Sequence, residues 1–450
     1  MPNVVRGKTR KVVQLVGDID RQRGRNPPQT FAKYRLYGTD LGTPLDFGPS
    51  HDLWFLFGDA WTAVRQEDGS LKPKIDLDDN SALTFPYNKH HPFNADPVGV
   101  APPNVTAQNL DRTFELEFVV APKPDQDQGY ATLEIPGVTL LTSKVPTGAI
   151  NTPGGVYVFA TGKSFVEGGD PAGIGGTNVS WVARWSDLTT LKTEPPYLFS
   201  WGPFANYLVP AVGGMDDGTG TPGHPTEGAV VWLWGTGFPN RQSSVRLAYV
   251  PLNQIGDSQE IVIDGHHLFD IRSNAWRFFR NTDTGISWVD DESQATPLFN
   301  SCSVGEFSVA WNKYLGLWLM LYQCGNPRGV LCRWAVHPWG PWSDGIIIFE
   351  PWGDNGYRHF MHVPNLDDLS DRGRENDWGG EYAPIIIPRY TLGSGTTTKI
   401  RYTMSTWNPY TVVIMESELQ LEGDGIFTIL ARALEKALSR VLSWVRRLGR

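Results

Sequence analysis

Five stretches of this chain share one shape, a short apolar run rich in β-branched and aromatic residues that ends in a turn or in small polar residues. They are "LWFLFGDAW" from residue 53, "VYVFATGKS" from 156, "VVWLWGTGF" from 230, "LWLMLYQCG" from 317 and "IRYTMSTWN" from 400. Each has the length of a strand, and each is followed by a break. Their starts lie 103, 74, 87 and 83 residues apart, a loose repeat with room in every interval for a four-stranded sheet and its loops. A β-propeller blade answers that description, with an irregular β-sandwich as the competing arrangement. Helical patterning is nearly absent before residue 425, and 48 Gly and 34 Pro punctuate short strands throughout. The chain reads as all-β.

Composition narrows the function. With 450 residues, 40% of them hydrophobic and 19% charged, the chain can bury a large core and is neither disordered nor fibrous. A formal net charge of −9 argues against nucleic-acid binding by phosphate neutralisation. Basic residues instead gather at the two ends, from Arg6 to Arg25 and from Arg440 to Arg450, where such runs commonly form solvated tails or assembly contacts. Three cysteines, Cys302, Cys324 and Cys332, permit one bridge at most and fit no zinc spacing, so they are expected as core or free thiols. "VVQLV" near the start is too short for the apolar region of a signal peptide, and no apolar run reaches the length of a transmembrane helix. Action outside a cell would then require a route independent of a signal peptide.

The chain divides into a basic N-terminal segment (1–30), a β-domain (31–422) and a C-terminal segment (423–450). In the last, Phe427, Leu434, Val441 and Leu448 recur every seven residues, flanked by Leu430, Ala437 and Trp444 and by Ala431, Leu438 and Val445. This predicts an amphipathic α-helix with a basic opposite face, suited to packing on the β-domain, to homo-oligomerisation or to attachment to a larger assembly or anionic surface.

Two aspartates carry the candidate chemistry. Asp40 lies in "YGTDLG", and Asp59 follows the apolar run Trp54 to Phe57 in "LFGDAW". With a first strand near 34–37 and a second near 53–57, both carboxylates fall on one rim of a blade. Paired carboxyl groups facing one cleft are what glycoside hydrolysis requires, one protonating the departing oxygen and the other attacking or activating water. Burial against Trp54, Phe57 and Trp61 would raise the pKa of one of them and keep it protonated as the acid. The competing role for both is turn capping beside glycine. Glu306 in "SVGEFSVAW" is a third candidate facing the channel, or else the partner of a nearby arginine. Tryptophan and tyrosine supply stacking platforms for sugar faces, with Trp61 beside Asp59 a candidate contact.

Other chemistries lack residues. "DLDDNS" from 76 resembles a calcium loop, but Ser81 replaces its turn glycine and Tyr87 its bidentate glutamate. The pairs His90–His91 and His266–His267 point apart on a strand, "GTGTPG" and "GIGG" lack the strand-to-helix context of a phosphate loop, and no GxSxG elbow occurs. No cofactor is expected; a structural calcium ion in the channel is left open.

Several phrases together resemble one actinobacterial and phage family: "GTDLG", "FLFGDAW", "VPTGAI" at 145, "GEFSVAWNKYLGLWLMLY" at 305, "GPWSDG" at 340 and "YTMSTWNPYTVVIMESEL" at 402. This is the family catalogued as domain of unknown function 4185 and recognised as endo-D-arabinanases, glycoside hydrolase family 183. The resemblance runs in order from about Tyr34 to about Leu421. It implies a five-bladed β-propeller that cleaves internal linkages of D-arabinan in mycobacterial arabinogalactan and lipoarabinomannan. Its paired acids match Asp40 and Asp59, while Glu306, Trp407 and Asn408 stand in matching motifs as substrate contacts. Two stretches, "VEGGDPAGIGGTN" and "GGMDDGTGTPGHPTEG", look like loop insertions. The absent signal peptide, basic N-terminus and C-terminal helix together suggest a phage tail protein that opens the arabinan layer during adsorption. The alternatives are a propeller that binds cell-wall glycan without cutting it and an inert structural tail component.

Overall fold

The computed structural model describes residues 2–20, 22, 27–48, 51–61, 63–65, 71–73, 97–111, 114–120, 129–136, 144–163, 178–214, 229–239, 241–263, 266–272, 275–300 and 304–423. The predicted helix within 423–450, "DLDDNS", His90–His91 and nearly all of the two insertion-like stretches lie outside the described residues.

Five largely antiparallel sheets form the blades of a β-propeller, the second of them also taking in Gln259–Ile263 and His266–Asp270, the latter parallel to Tyr197–Ser200. Their innermost strands are Gly38–Asp46, Lys144–Thr152, Tyr207–Gly214, Phe307–Asn312 and Glu381–Ile386. The second strands are Leu53–Trp61, Gly155–Lys163, Ala229–Thr236, Leu317–Tyr322 and Thr397–Thr406. The five repeated runs of the sequence are therefore the second strands of the five blades.

These strands are apolar on both faces because each blade is covered by a neighbour on either side. All six residues of Leu317–Tyr322 are buried. In Leu53–Trp61 the alternation is explicit: Leu53, Phe55 and Phe57 enter the core shared with the fifth blade, while Trp54 and Leu56 enter the core shared with the second. Three further cores fill the gaps between blades two and three, three and four, and four and five. Each fully buried Leu or Phe contributes about 1.5–3 kcal/mol, so the ring is held chiefly by these five inter-blade seams.

The ring closes through the segment expected to be a solvated basic tail. Asn3–Gln14 pairs antiparallel with Thr411–Glu422 and becomes the outer strand of the fifth blade. Its basic residues have partners in the domain: Arg6 with Asp354 at 3.0 Å, Arg10 with Glu416 at 3.0 Å, and Lys11 with Asp20 at 3.1 Å, both buried. Charge on an outer strand is consistent with guarding a sheet edge, and here it also locks the closure.

Two further expectations change. The first inner strand is Gly38–Asp46, not 34–37, because Thr30–Tyr34 forms a short helix ending in a left-handed Arg35. Cys324 is disulfide-bonded, and among the described residues Cys332 is a free thiol, pushed up to about 12 by burial. The thiol reading failed for Cys324 because spacing along the chain does not report distance in space.

Candidate functional site

In an antiparallel blade the first strand begins, and the second strand ends, at the same rim. Asp40 is the third residue of the first inner strand, Asp59 the third from the end of its neighbour, Glu306 directly precedes the fourth inner strand, and Tyr382 is the second residue of the fifth. Tyr207 opens the third. One end of the propeller axis thus gathers groups separated by more than 300 residues.

Two β-bulges aim the side chains. The register of Gly38–Asp46 against Leu53–Trp61 slips on either side of Leu41, which has φ 66°. The strand carrying Tyr382 slips between Tyr382 and Ile385, where Ala383 has φ 48°. A left-handed conformation without glycine costs roughly 1–2 kcal/mol, and bulges of this kind re-aim the adjacent residue. Here the residues so placed are Asp40 and Tyr382, and the Tyr382 hydroxyl donates to Asp40 Oδ2 at 3.1 Å.

The glycines of both motifs are required by close approach. A Cβ on Gly58 would stand 2.4 Å from Asp40 Oδ1, and one on Gly38 would stand 2.3 Å from the Tyr410 carbonyl oxygen. "GTD" and "FGD" are thus two halves of one packing arrangement, in which each glycine makes room for the next layer of the site.

Burial dominates the electrostatics. It pushes the Asp40 carboxyl up to about 7, opposed by the hydroxyls of Tyr410 and Tyr382, reinforced by the charge of Glu306 and opposed again by Arg241. Among the described residues Asp40 Oδ1 has no hydrogen-bond donor, so a proton on this carboxyl spares the site an ill-solvated buried charge. Asp59 is half-buried on the adjoining strand, and its carbonyl accepts from Tyr410 Oη at 3.3 Å. Tyr207 is buried with no partner for its hydroxyl among the described residues; burial and the charges of Glu306 and Asp40 raise its pKa well above the usual value.

Glu306 takes the arginine-paired role. Arg241 donates to both of its carboxylate oxygens from Nε and Nη2 at 3.0–3.2 Å and lies 5.6 Å from the centre of the Tyr382 ring. The pair adds a neutralised, hydrogen-bonding wall beside Asp40.

The remaining sequence candidates support the site from behind. Trp61 keeps only 7% of its surface open. Tyr410 stacks on it at 4.5 Å and Tyr37 lies parallel at 6.3 Å, while Arg374 sits 5.4 Å from its ring and 4.1 Å from that of Trp407. Such packing leaves Trp61 no face for a sugar, contrary to the expected contact. Asn408 is fully buried; it accepts from Asp371 N at 2.9 Å and donates to the carbonyls of Arg374 and Asp377 at 2.9 and 2.7 Å. Its side-chain hydrogen bonds therefore brace the loop through 371, 374 and 377. Asp371 in that loop accepts from Tyr410 N at 2.8 Å and from Tyr37 Oη at 3.1 Å, and burial pushes it up to about 6 despite Arg374.

Tyr382, Tyr410, Tyr207 and Arg241 were missed from sequence. A tyrosine opening an apolar strand reads as core, and only the bulge after Tyr382 turns it to Asp40. Among the described residues no three His, Cys, Asp or Glu side chains gather as a metal site.

Fold and site together define a five-bladed β-propeller with a buried carboxyl–tyrosine cluster on its axis. The chain belongs to the family described as a domain of unknown function (DUF4185), which matches residues 25–416. No curated protein matches it. Among solved structures it is similar to an alpha-L-arabinofuranosidase from Lactobacillus brevis at 11% identity, over 70% of this chain and 87% of that one, with a TM-score of 0.26. It is also similar to the polysaccharide lyase Uly1 at 7% identity, over 93% and 99%, with a TM-score of 0.31. Likenesses at this level carry no argument about activity.

Proposed function

We propose that the protein is a glycoside hydrolase that cuts internal linkages of D-arabinan, with Asp40 as the proton-holding acid and Asp59 as the second carboxyl group. The observation that supports this reading most is Asp40 itself: a carboxyl raised to about 7 by burial, held by Tyr382 and joined through a bulged strand pair to a second aspartate. An acid that keeps its proton near neutral pH is what a departing glycosidic oxygen needs, and a partner group then attacks the anomeric carbon or takes a proton from water. Substrate identity comes from the resemblance of the motifs. The test is release of oligosaccharides from purified mycobacterial arabinogalactan by wild type, Asp40→Asn and Asp59→Asn, each checked by circular dichroism. Loss of about 10²–10⁴-fold in either folded variant is expected.

A second reading, recognition without cleavage, is favoured by the enclosure of Asp40, of which 8% is exposed. Polymer binding by folded wild type with no product release would establish it. The phage-tail assignment loses one support, since the basic N-terminal segment closes the ring, and now stands on the C-terminal heptad pattern. Light scattering of the full chain against one ending at Gly423 tests the association; a monomeric full chain, absent from purified particles, would end that assignment.

A further inference from the structure

We propose a second carbohydrate-contact surface on the same face of the propeller, built by Trp352, Trp378 and Tyr357, which holds an extended glycan strand away from the axial acids; it deepens the glycan reading and rests on it. Trp352 and Trp378 keep 51% and 49% of their surface open, in a chain whose other tryptophans are mostly core. Their rings form a corner: Trp352 lies 4.8 Å from Tyr357 and 6.4 Å from Trp378, and Trp378 stands nearly edge-on to both, at 75° and 79°.

The corner is rigidly presented. Gly379, next to Trp378, is pinned by hydrogen bonds between its N–H and the His362 carbonyl at 2.8 Å, and a Cβ there would stand 2.7 Å from His362 N. Arg328 braces Tyr357 from 5.8 Å while binding the Gly379 carbonyl and Glu381 at 3.0 Å. Rings held in place before a ligand arrives lose little entropy on binding it.

Position and chemistry select the occupant. Trp378 is four residues from Tyr382, whose hydroxyl touches Asp40, so corner and acids are joined by one short segment before the fifth inner strand. Two half-open indoles present far less than the roughly 800 Å² per partner of a stable protein interface. They match the apolar C–H face of one or two sugar rings, with the Arg328–Glu381 pair at hand for hydroxyl groups.

The test compares wild type, Trp352→Ala/Trp378→Ala and Asp40→Asn by electrophoretic retardation in gels containing soluble arabinan, and by kinetics on that polymer and on a short arabino-oligosaccharide. The double variant is expected to bind the polymer about tenfold more weakly and to show a KM on it about tenfold higher, with turnover of the short substrate unchanged within twofold. If it does not fold, Trp352→Ala alone carries the test. Unchanged retardation and polymer kinetics in a folded variant would overturn the second surface and leave the Asp40–Asp59 reading intact. Absent hydrolysis by wild type with ring-dependent retardation would do the reverse. A wild type that dimerises only while both tryptophans are present, with retardation unaffected by their loss, would make the corner a self-contact and overturn the inference.

Discussion

The two ends of the same five inner strands are built on opposite principles. Chiefly from their middles onward the axis opens into a cavity of about 330 Å³ lined by groups such as Thr147, Ala149, Ala211, Ala310 and Ile385. Toward their starts it is filled, and Asp40, Tyr207, Glu306, Arg241 and Tyr382 crowd together in its place. The larger space has few groups that titrate, and the crowded end has nearly all of them. Room is therefore a poor guide to chemistry in this ring: a carboxyl shifts its pKa only where protein atoms replace water around it, and such a place is by construction nearly full.

Removing the crowded end's acid should produce the largest effect. Asp40→Asn is expected to lower product release by about 10²–10⁴-fold. It should also flatten the fall in stability with pH, because a carboxyl whose folded pKa is raised from 3.8 to about 7 favours the folded state fully below about pH 4 and loses that contribution as pH rises through 7. The contribution is roughly 4 kcal/mol at most, and melting temperature measured from pH 4 to 8 reads it. Asp371, raised to about 6, has the same sign, so a fall through pH 6 should remain in the variant. Wild-type activity should decline above pH 7 as Asp40 loses its proton.

Asn408→Ala comes next. It strands three backbone groups at 371, 374 and 377 and should lower stability by roughly 3 kcal/mol, read by denaturant unfolding. Tyr382→Phe is smaller. It removes the donor to Asp40 Oδ2, which raises the Asp40 pKa further, so the alkaline limb of the pH–rate profile should move up by a fraction of a unit and kcat fall by about tenfold. A downward shift would show that the hydroxyl does not favour the charged form. Smallest of all is Val212→Asn. Val212 lines the open cavity and is 44% exposed, and its replacement should leave activity within about twofold. A large loss there would break the comparison and move the substrate path to the other end.

Much of the architecture was legible because a strand covered on both faces has a signature of its own. The runs at 53, 156, 230, 317 and 400 could not face water on either side, and that alone placed one strand in each blade. Asp40 and Asp59 stood out for a related reason: a charge set into or beside such a strand is expensive, and the glycines at 38 and 58 mark close approaches. Trp61 and Asn408 misled because an aromatic or amide in a shared motif reads alike whether it touches a ligand or props the residue that does. The basic segment from Arg6 to Lys11 misled because its partners, Asp354, Glu416 and Asp20, are mostly distant in sequence.

The sequence by itself determined that the chain is all-β, that it carries five repeated two-sided strands, and that two aspartates sit in or beside such strands. Local pattern encodes these, since periodicity and composition are properties of a few consecutive residues. Only the tertiary structure decided that the first strand closes on the last, that Tyr382 and Arg241 meet the acids, and which carboxyl is enclosed. Those are decided by ring closure and by bulges at Leu41 and Ala383, which set contacts between residues hundreds of positions apart and leave no periodic trace in the chain.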